Sequence, residues 1–260
     1  MLDQLIHKRP PPQHTLDTTR AVAGVMLSAA QPLAAYISQL TGLGMSEVER
    51  ARQSDGPVTP ADGAFAIWGP LFLGSVTWAG WSALKEQRGD PALRRIGWLA
   101  CGAFASNIAW SLRAQFSGLG WPSLGIISTG AANANAALIR AARTPRAKLA
   151  TWTLGPLAGW LSLATFANLE ATLNGTRERP APHIEERRAA ALLCAATATA
   201  AATTVASRGN LPYGAAVAWG LAGTALRNIR AQKPGVALTA GACLAALAGI
   251  TWIARRSAPI

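Results

Sequence analysis

Apolar residues are grouped in blocks about as long as a bilayer is thick, with short polar segments between them. A membrane-spanning helix needs about 20 mostly apolar residues, so each block predicts one transmembrane helix. The blocks lie near residues 20–42, 62–84, 95–116, 119–142, 149–173, 188–207, 211–229 and 234–254. Block 188–207 is almost entirely alanine and threonine, and block 211–229 is also only weakly hydrophobic. Seven spans are therefore the alternative to eight.

The polar segments divide the chain into four parts. Residues 1–19 form a polar, proline-rich arm, and residues 20–174 contain the first five blocks. Residues 175–187 form a charged linker, and residues 188–260 carry two or three additional transmembrane helices. The predicted fold class is all-α: a polytopic transmembrane helical bundle with a five-helix core.

Charge supports a membrane protein rather than a soluble one. Only 14% of the residues are charged and the mean hydropathy is +0.21, whereas soluble domains average about 25% charged residues. The net charge of +12 comes from arginines and lysines between the apolar blocks, which suits loops that contact lipid headgroups. We therefore expect membrane lipids, and not nucleic acid, as partners.

The distribution of basic residues predicts an orientation. With eight spans, the N-terminus, residues 85–95, residues 140–148 and the C-terminus share one side, which carries modestly more Lys and Arg. By the positive-inside rule this side is cytoplasmic. The basic segment 174–188 lies on the opposite side and weakens the bias.

Ten tryptophans occur, and six of them form two groups. Trp98, Trp121 and Trp252 lie near span ends, where an indole ring anchors a helix at the membrane interface. Three others, Trp68, Trp110 and Trp160, lie well inside their spans, so interfacial anchoring does not explain them.

Two spans carry features that predict a concave wall. Pro70 is placed one turn inside the second span and predicts a kink beside Trp68, although ordinary packing of the bundle is the alternative. In the third span Asn107, Trp110 and Arg113 lie on nearby parts of one helix side. Arg113 is close to the span end, so its side chain can instead reach outward to the headgroups.

The fifth span carries a stripe of three residues. Trp160, Ala164 and Asn168 are four residues apart and share one helix face. We expect Asn168 to bond Asn107 across the bundle. Such a bond gives the two asparagines a structural role, and a ligand-binding role is the alternative. Glu170 points about 200° away from Asn168 and is expected near the membrane surface.

These three spans together resemble the tryptophan-rich sensory protein family, TspO. The stretch 57–84, with Phe65 and Trp68, resembles the second helix of that family. Asn107-Ile108-Ala109-Trp110-Ser111 resembles its N-x-x-W-[ST] motif, and Pro156 to Asn168 resembles its P-x-x-x-W-x-x-x-A-T-x-x-N motif. The resemblance covers residues 20–174 and says little about the rest.

The chain also departs from the family pattern. Leu157 stands where the family has a tyrosine, Leu71 stands where an aromatic residue is expected, and the first loop lacks the usual tryptophans. Ligand specificity is therefore expected to differ.

The resemblance implies a ligand pocket. TspO proteins are five-helix bundles, often dimeric, that bind porphyrins and other flat hydrophobic molecules under the first loop. By position, the residues implied to line or support the pocket are Phe65, Trp68, Asn107, Trp110, Trp160, Ala164 and Asn168. A porphyrin (tetrapyrrole) is the implied ligand, no cofactor is required, and a multi-pass protein of the bacterial inner membrane is implied.

Three functional hypotheses follow. The first is binding of a flat hydrophobic ligand in sensing, regulation or transport, with a homodimer or a membrane complex as protein partner. The second is an accessory subunit of a larger membrane complex, and the third is a porphyrin-degrading enzyme. A conventional enzyme or a metal site is not expected, because His7, His14 and His183 all lie outside the spans.

Overall fold

The computed structural model describes residues 12–54, 56–175 and 181–257, and these residues form helices without strands. This confirms the predicted all-α class. The elements are α1 Pro12–Thr41, α2 Glu47–Ser54, a 3₁₀ helix Asp62–Ile67, α3 Trp68–Ala83, α4 Lys85–Arg88, α5 Pro91–Ser117, α6 Trp121–Ala142, a 3₁₀ helix Pro145–Ala147, α7 Lys148–Gly175, α8 Pro182–Ala206, α9 Leu211–Arg230 and α10 Pro234–Arg256.

Each predicted apolar block coincides with one long helix or, for block 62–84, with a 3₁₀ helix followed by α3. Among the described residues, three helices are long and apolar enough to cross a membrane by length and composition. They are Thr15–Thr41, Pro182–Ala206 and Pro234–Arg256.

Prolines set the starts of many helices. A proline has no N–H to leave unpaired, and its fixed φ suits the first helical turn. Five of the long helices have such a proline: Pro91, Pro122, Pro182, Pro212 and Pro234.

The long helices pack as one bundle. α1 lies against α3 and α5, α6 lies between α5 and α7, and α7 also contacts α3, α8 and α9. Glycine permits the closest approach, because a Cβ at Gly159 of α7 would lie 2.5 Å from the carbonyl oxygen of Tyr213 on α9. α8 and α9 are thus packed directly on the helix that carries the predicted stripe.

The start of the second span differs from the prediction. The 3₁₀ helix ends at Ile67, and the α-helix begins at Trp68. Pro70 therefore lies in the first turn of α3, where the N–H groups have no acceptor within the helix and the N–H that proline lacks costs no hydrogen bond. The change from 3₁₀ to α-helical geometry thus precedes Pro70, and the kink at Pro70 stays a prediction.

Polar side chains join α1 to α5. The Nε and Nη2 atoms of Arg94 donate to the two carboxylate oxygens of Asp17 at 2.7 and 2.6 Å. Arg20 donates to the Leu93 carbonyl oxygen at 2.8 Å. α1 thus extends through residues 12–19, which the sequence suggested to be an arm.

Candidate ligand pocket

A partly open cavity of about 60 Å³ lies where α2, α3, α5 and α7 converge. Its walls are mainly apolar and aromatic, as is usual for small-molecule sites. The lining residues are Glu47, Arg50, Ala51, Ser54, Thr59, Pro60, Phe65, Trp68, Trp110, Ala114, Leu119, Trp160, Leu163, Ala164, Ala167 and Asn168.

Trp68 stands at the centre of the aromatic wall. Its ring centroid lies 6.4 Å from that of Trp110 and 6.0 Å from that of Trp160, which it meets at 79°. Phe65 meets Trp160 at 81° and 5.9 Å. Offset and edge-to-face pairs at these separations are favourable, so each ring fixes its neighbour.

Four hydrogen-bond donors on the lining residues are unpaired. The Nε1 atoms of Trp68, Trp110 and Trp160 and the Nδ2 atom of Asn168 are buried without a partner among the described residues. Most buried polar groups in folded proteins have a partner, and an unpaired one costs about 1–3 kcal/mol. The residues that line the cavity therefore carry four unpaired donors.

The two asparagines have different surroundings. The Nδ2 atom of Asn107 donates to Oε1 of Gln31 on α1 at 3.0 Å, and Asn107 does not line the cavity. The Oδ1 atom of Asn168 accepts a hydrogen bond from Ser123 of α6 at 3.2 Å. The expected bond between Asn107 and Asn168 is wrong, because one faces α1 and the other faces α6.

A short helix closes one side of the cavity. α2 begins with a capping box in which Ser46 and Glu49 bond each other's backbone N–H groups. Oε1 of Glu47 accepts a hydrogen bond from the hydroxyl of Ser111 at 2.7 Å, and Nε of Arg50 donates to the Ala114 carbonyl oxygen at 2.8 Å. These bonds dock α2 on α5.

Glu47 is buried in this contact. Burial raises the pKa of its carboxyl group to about 7, although the hydrogen bond from Ser111 acts in the opposite direction. Arg50 is the other ionisable residue of the lining.

The segment 56–64, which we call the strap, runs from α2 to α3 and is held from two sides. Glu170 of α7 accepts the Val58 N–H at 2.8 Å. On α9, Thr224 donates to the Val58 carbonyl oxygen at 3.0 Å, and Asn228 donates to that of Pro57 at 2.7 Å. The C-terminal helices thus position one edge of the cavity.

Glu170 has a partner that the sequence did not predict. Its side chain is fully buried, because the strap enters the bundle and supplies a backbone donor; its depth in the membrane stays a prediction. Sequence spacing along α7 alone gives no sign of this partner.

Six of the seven residues singled out from the sequence lie together at the cavity; Asn107 does not. They are Phe65, Trp68, Trp110, Trp160, Ala164 and Asn168. The residues of α2 and the strap were not predicted, since a short polar loop has no apolar periodicity to mark them.

The two groups of tryptophans also differ in exposure, as expected. Trp98, Trp121 and Trp252 are exposed on the bundle surface, whereas the three tryptophans inside the spans are buried.

The bundle of apolar helices around an aromatic cavity defines an α-helical integral membrane protein. The chain matches the family described as TSPO-like protein over residues 21–253, and it belongs to that family. The match includes α8, α9 and α10 as well as the front helices. No curated protein and no solved structure matches the chain.

Proposed function

We propose that the protein binds a flat hydrophobic molecule of the porphyrin (tetrapyrrole) class in the cavity behind α2, in sensing, regulation or transport at the membrane. The observation that carries this proposal is the combination of a three-tryptophan wall with four unpaired buried donors.

The chemistry of the wall supports such a ligand. Indole faces stack on flat aromatic rings. The unpaired N–H groups of Trp68, Trp110, Trp160 and Asn168 would gain from a ligand that carries acceptors, such as carboxylates or carbonyl groups. Arg50 adds a positive charge at the side closed by α2.

The size of the cavity implies that α2 moves. Ligand sites usually enclose about 300–1,000 Å³, whereas this cavity is about 60 Å³. A tetrapyrrole would enter only when α2 leaves α5, which breaks the bonds of Glu47 and Arg50. In this proposal the structure corresponds to the state in which α2 is docked on α5.

The unpaired donors favour ligand binding over a purely structural role as a subunit. Packing against a permanent partner would leave them unsatisfied, since they lie inside the chain rather than on its surface. Among the lining residues, only Glu47 and Arg50 are ionisable, which gives little support to the alternative of a porphyrin-degrading enzyme.

The test is a titration of the detergent-solubilised protein with protoporphyrin IX, followed by quenching of tryptophan fluorescence and by the porphyrin absorbance band. We expect saturable binding that Trp160→Phe weakens about tenfold, in line with the loss of one N–H donor and of part of the ring area. Trp121→Phe, which changes an exposed ring outside the cavity, is the matched control. No saturable binding, or equal weakening by both variants, would refute the proposal.

A further inference from the structure

A positively charged cleft of about 550 Å³ lies at one end of the bundle, away from the aromatic cavity. Five helix ends meet there: the C-termini of α6, α8 and α10 and the N-termini of α7 and α9. Its lining includes four cationic side chains, which are Arg143, Lys148, Arg208 and Arg255.

No carboxylate lines this cleft, and none of the four cations forms an ion pair within the described part of the chain. The described acidic residues at the same end are Asp17, Glu86 and Asp90, which belong to the starts of α1, α4 and α5. The positive charge of the cleft is therefore not neutralised by the protein.

The turn between α8 and α9 holds two of the cations close together. Arg208 has a φ of 58° and Gly209 a φ of 69°, and a left-handed conformation is unfavourable for arginine. A Cβ at Gly209 would lie 2.7 Å from the backbone nitrogen of Arg255. Only glycine allows this approach, which brings Arg208 and Arg255 to the same wall.

An apolar groove of about 660 Å³ continues from the cleft along the outside of the bundle. The two spaces share Trp152, Leu211 and Pro212 in their linings. On α9 the groove follows Leu211, Ala215 and Trp219, which are four residues apart on one face and span about 12 Å.

The cationic cleft and the apolar groove together suit a molecule with an anionic head and an apolar tail. We propose that an anionic phospholipid binds here, with its phosphate between Arg143, Lys148, Arg208 and Arg255 and one acyl chain along α9. Trp152, which is 65% exposed, marks the level where the headgroup meets the chain. This site is separate from the aromatic cavity and does not depend on its ligand.

The charge of the cleft and the shape of the groove favour a phospholipid over a second copy of the chain or a free phosphate ion. A second copy of the chain related by a twofold axis would place the same unneutralised cations opposite each other. A free phosphate ion would satisfy the cleft but would leave the groove empty. A phospholipid satisfies both, and phosphate accepts hydrogen bonds from several arginines at once.

The experiment is native mass spectrometry of the protein released from detergent micelles with equal amounts of phosphatidylglycerol and phosphatidylcholine. We expect the phosphatidylglycerol adduct to be retained at least about tenfold more strongly. The double variant Arg208→Gln/Arg255→Gln should remove this preference. Arg143→Gln/Lys148→Gln should also remove the preference for phosphatidylglycerol. This variant leaves the α8–α9 turn unchanged, so it tests the proposal even if the first double variant fails to fold.

The matched control is Arg146→Gln/Arg256→Gln. It removes the same charge from the same end of the bundle, but neither residue lines the cleft, so the preference should remain. Ala215→Trp fills the groove without changing charge and should weaken retention of phosphatidylglycerol. Equal retention of the two lipids, equal loss of preference in the control, or full displacement by inorganic phosphate would overturn the proposal.

Discussion

Val58 donates its backbone N–H to the carboxylate of Glu170 at 2.8 Å, across 112 residues of sequence. Glu170 lies two residues beyond Asn168, so one helix carries both the cavity stripe and the anchor of the strap. The strap leads from α2 into α3. This bond therefore ties the segment that follows α2 to the helix that carries the cavity stripe.

Removal of the Glu170 acceptor should loosen the strap. Glu170→Leu leaves the buried Val58 N–H without its partner, which should lower the free energy of unfolding by about 1–3 kcal/mol. Thermal unfolding in detergent measures the change. Glu86→Leu, at an exposed glutamate of α4, should have little effect, and equal destabilisation by the two variants would contradict the assigned role.

The C-terminal helices should influence ligand binding from a distance. Asn228→Leu removes the donor to the Pro57 carbonyl oxygen while leaving every lining residue in place. We expect weaker binding of protoporphyrin IX, because the strap no longer holds the edge of the cavity. Thr199→Val is the control, since Thr199 is exposed and bonds only the carbonyl of its own helix. Unchanged affinity in Asn228→Leu would show that α9 does not influence ligand binding in the pocket.

Docking of α2 should depend on pH through Glu47. Its carboxyl pKa is about 7 in the docked state against an ordinary value of 4.5, so the docked state binds the proton more tightly. Docking is thus strongest below about pH 4.5, weakens as the pH rises to 7, and changes little above that. The hydrogen-bond partner Ser111 does not titrate in this range.

Hydrogen exchange of the α2 amides, corrected for the intrinsic rate, measures this docking. We expect at least about tenfold more protection at pH 5 than at pH 8 in the wild-type protein. Glu47→Gln, which stays neutral, should show similar protection at both pH values. A pH dependence that persists in Glu47→Gln would assign the effect to another group.

Asn168 should show opposite effects on stability and on binding. Asn168→Leu removes an unpaired buried donor, and Ser123 keeps its bond to the Gly120 carbonyl oxygen. We expect the melting temperature to stay the same or rise, while affinity for protoporphyrin IX falls. A variant with large destabilisation and unchanged affinity would show that Asn168 is a packing residue only.

Much of the bundle could be predicted because its signals are local. Apolar blocks of membrane length gave the helices, and the position of each tryptophan within its block separated Trp98 from Trp68. The spacing of Trp160, Ala164 and Asn168 placed them on one face, and that face lines the cavity. Local periodicity is sufficient for such features, since each depends on one helix.

The remaining features depend on pairs of residues far apart in the chain. Asn107 bonds Gln31, and Glu170 bonds Val58; no spacing rule connects these positions. Glu47 belongs to a polar loop whose composition predicts exposure, yet it is buried because Ser111 supplies a partner. Tertiary contacts determine these bonds and this burial, and local sequence patterns do not predict such contacts.

The most direct test of the central claim is to fill the cavity. Ala164 lines it, and Ala164→Phe should occupy the space that a ligand needs. Ala132→Phe, at an exposed alanine of α6, adds the same ring elsewhere. In a titration with protoporphyrin IX, we predict that Ala164→Phe abolishes saturable binding and that Ala132→Phe preserves it. Saturable binding of unchanged affinity in Ala164→Phe would contradict a ligand site in this cavity.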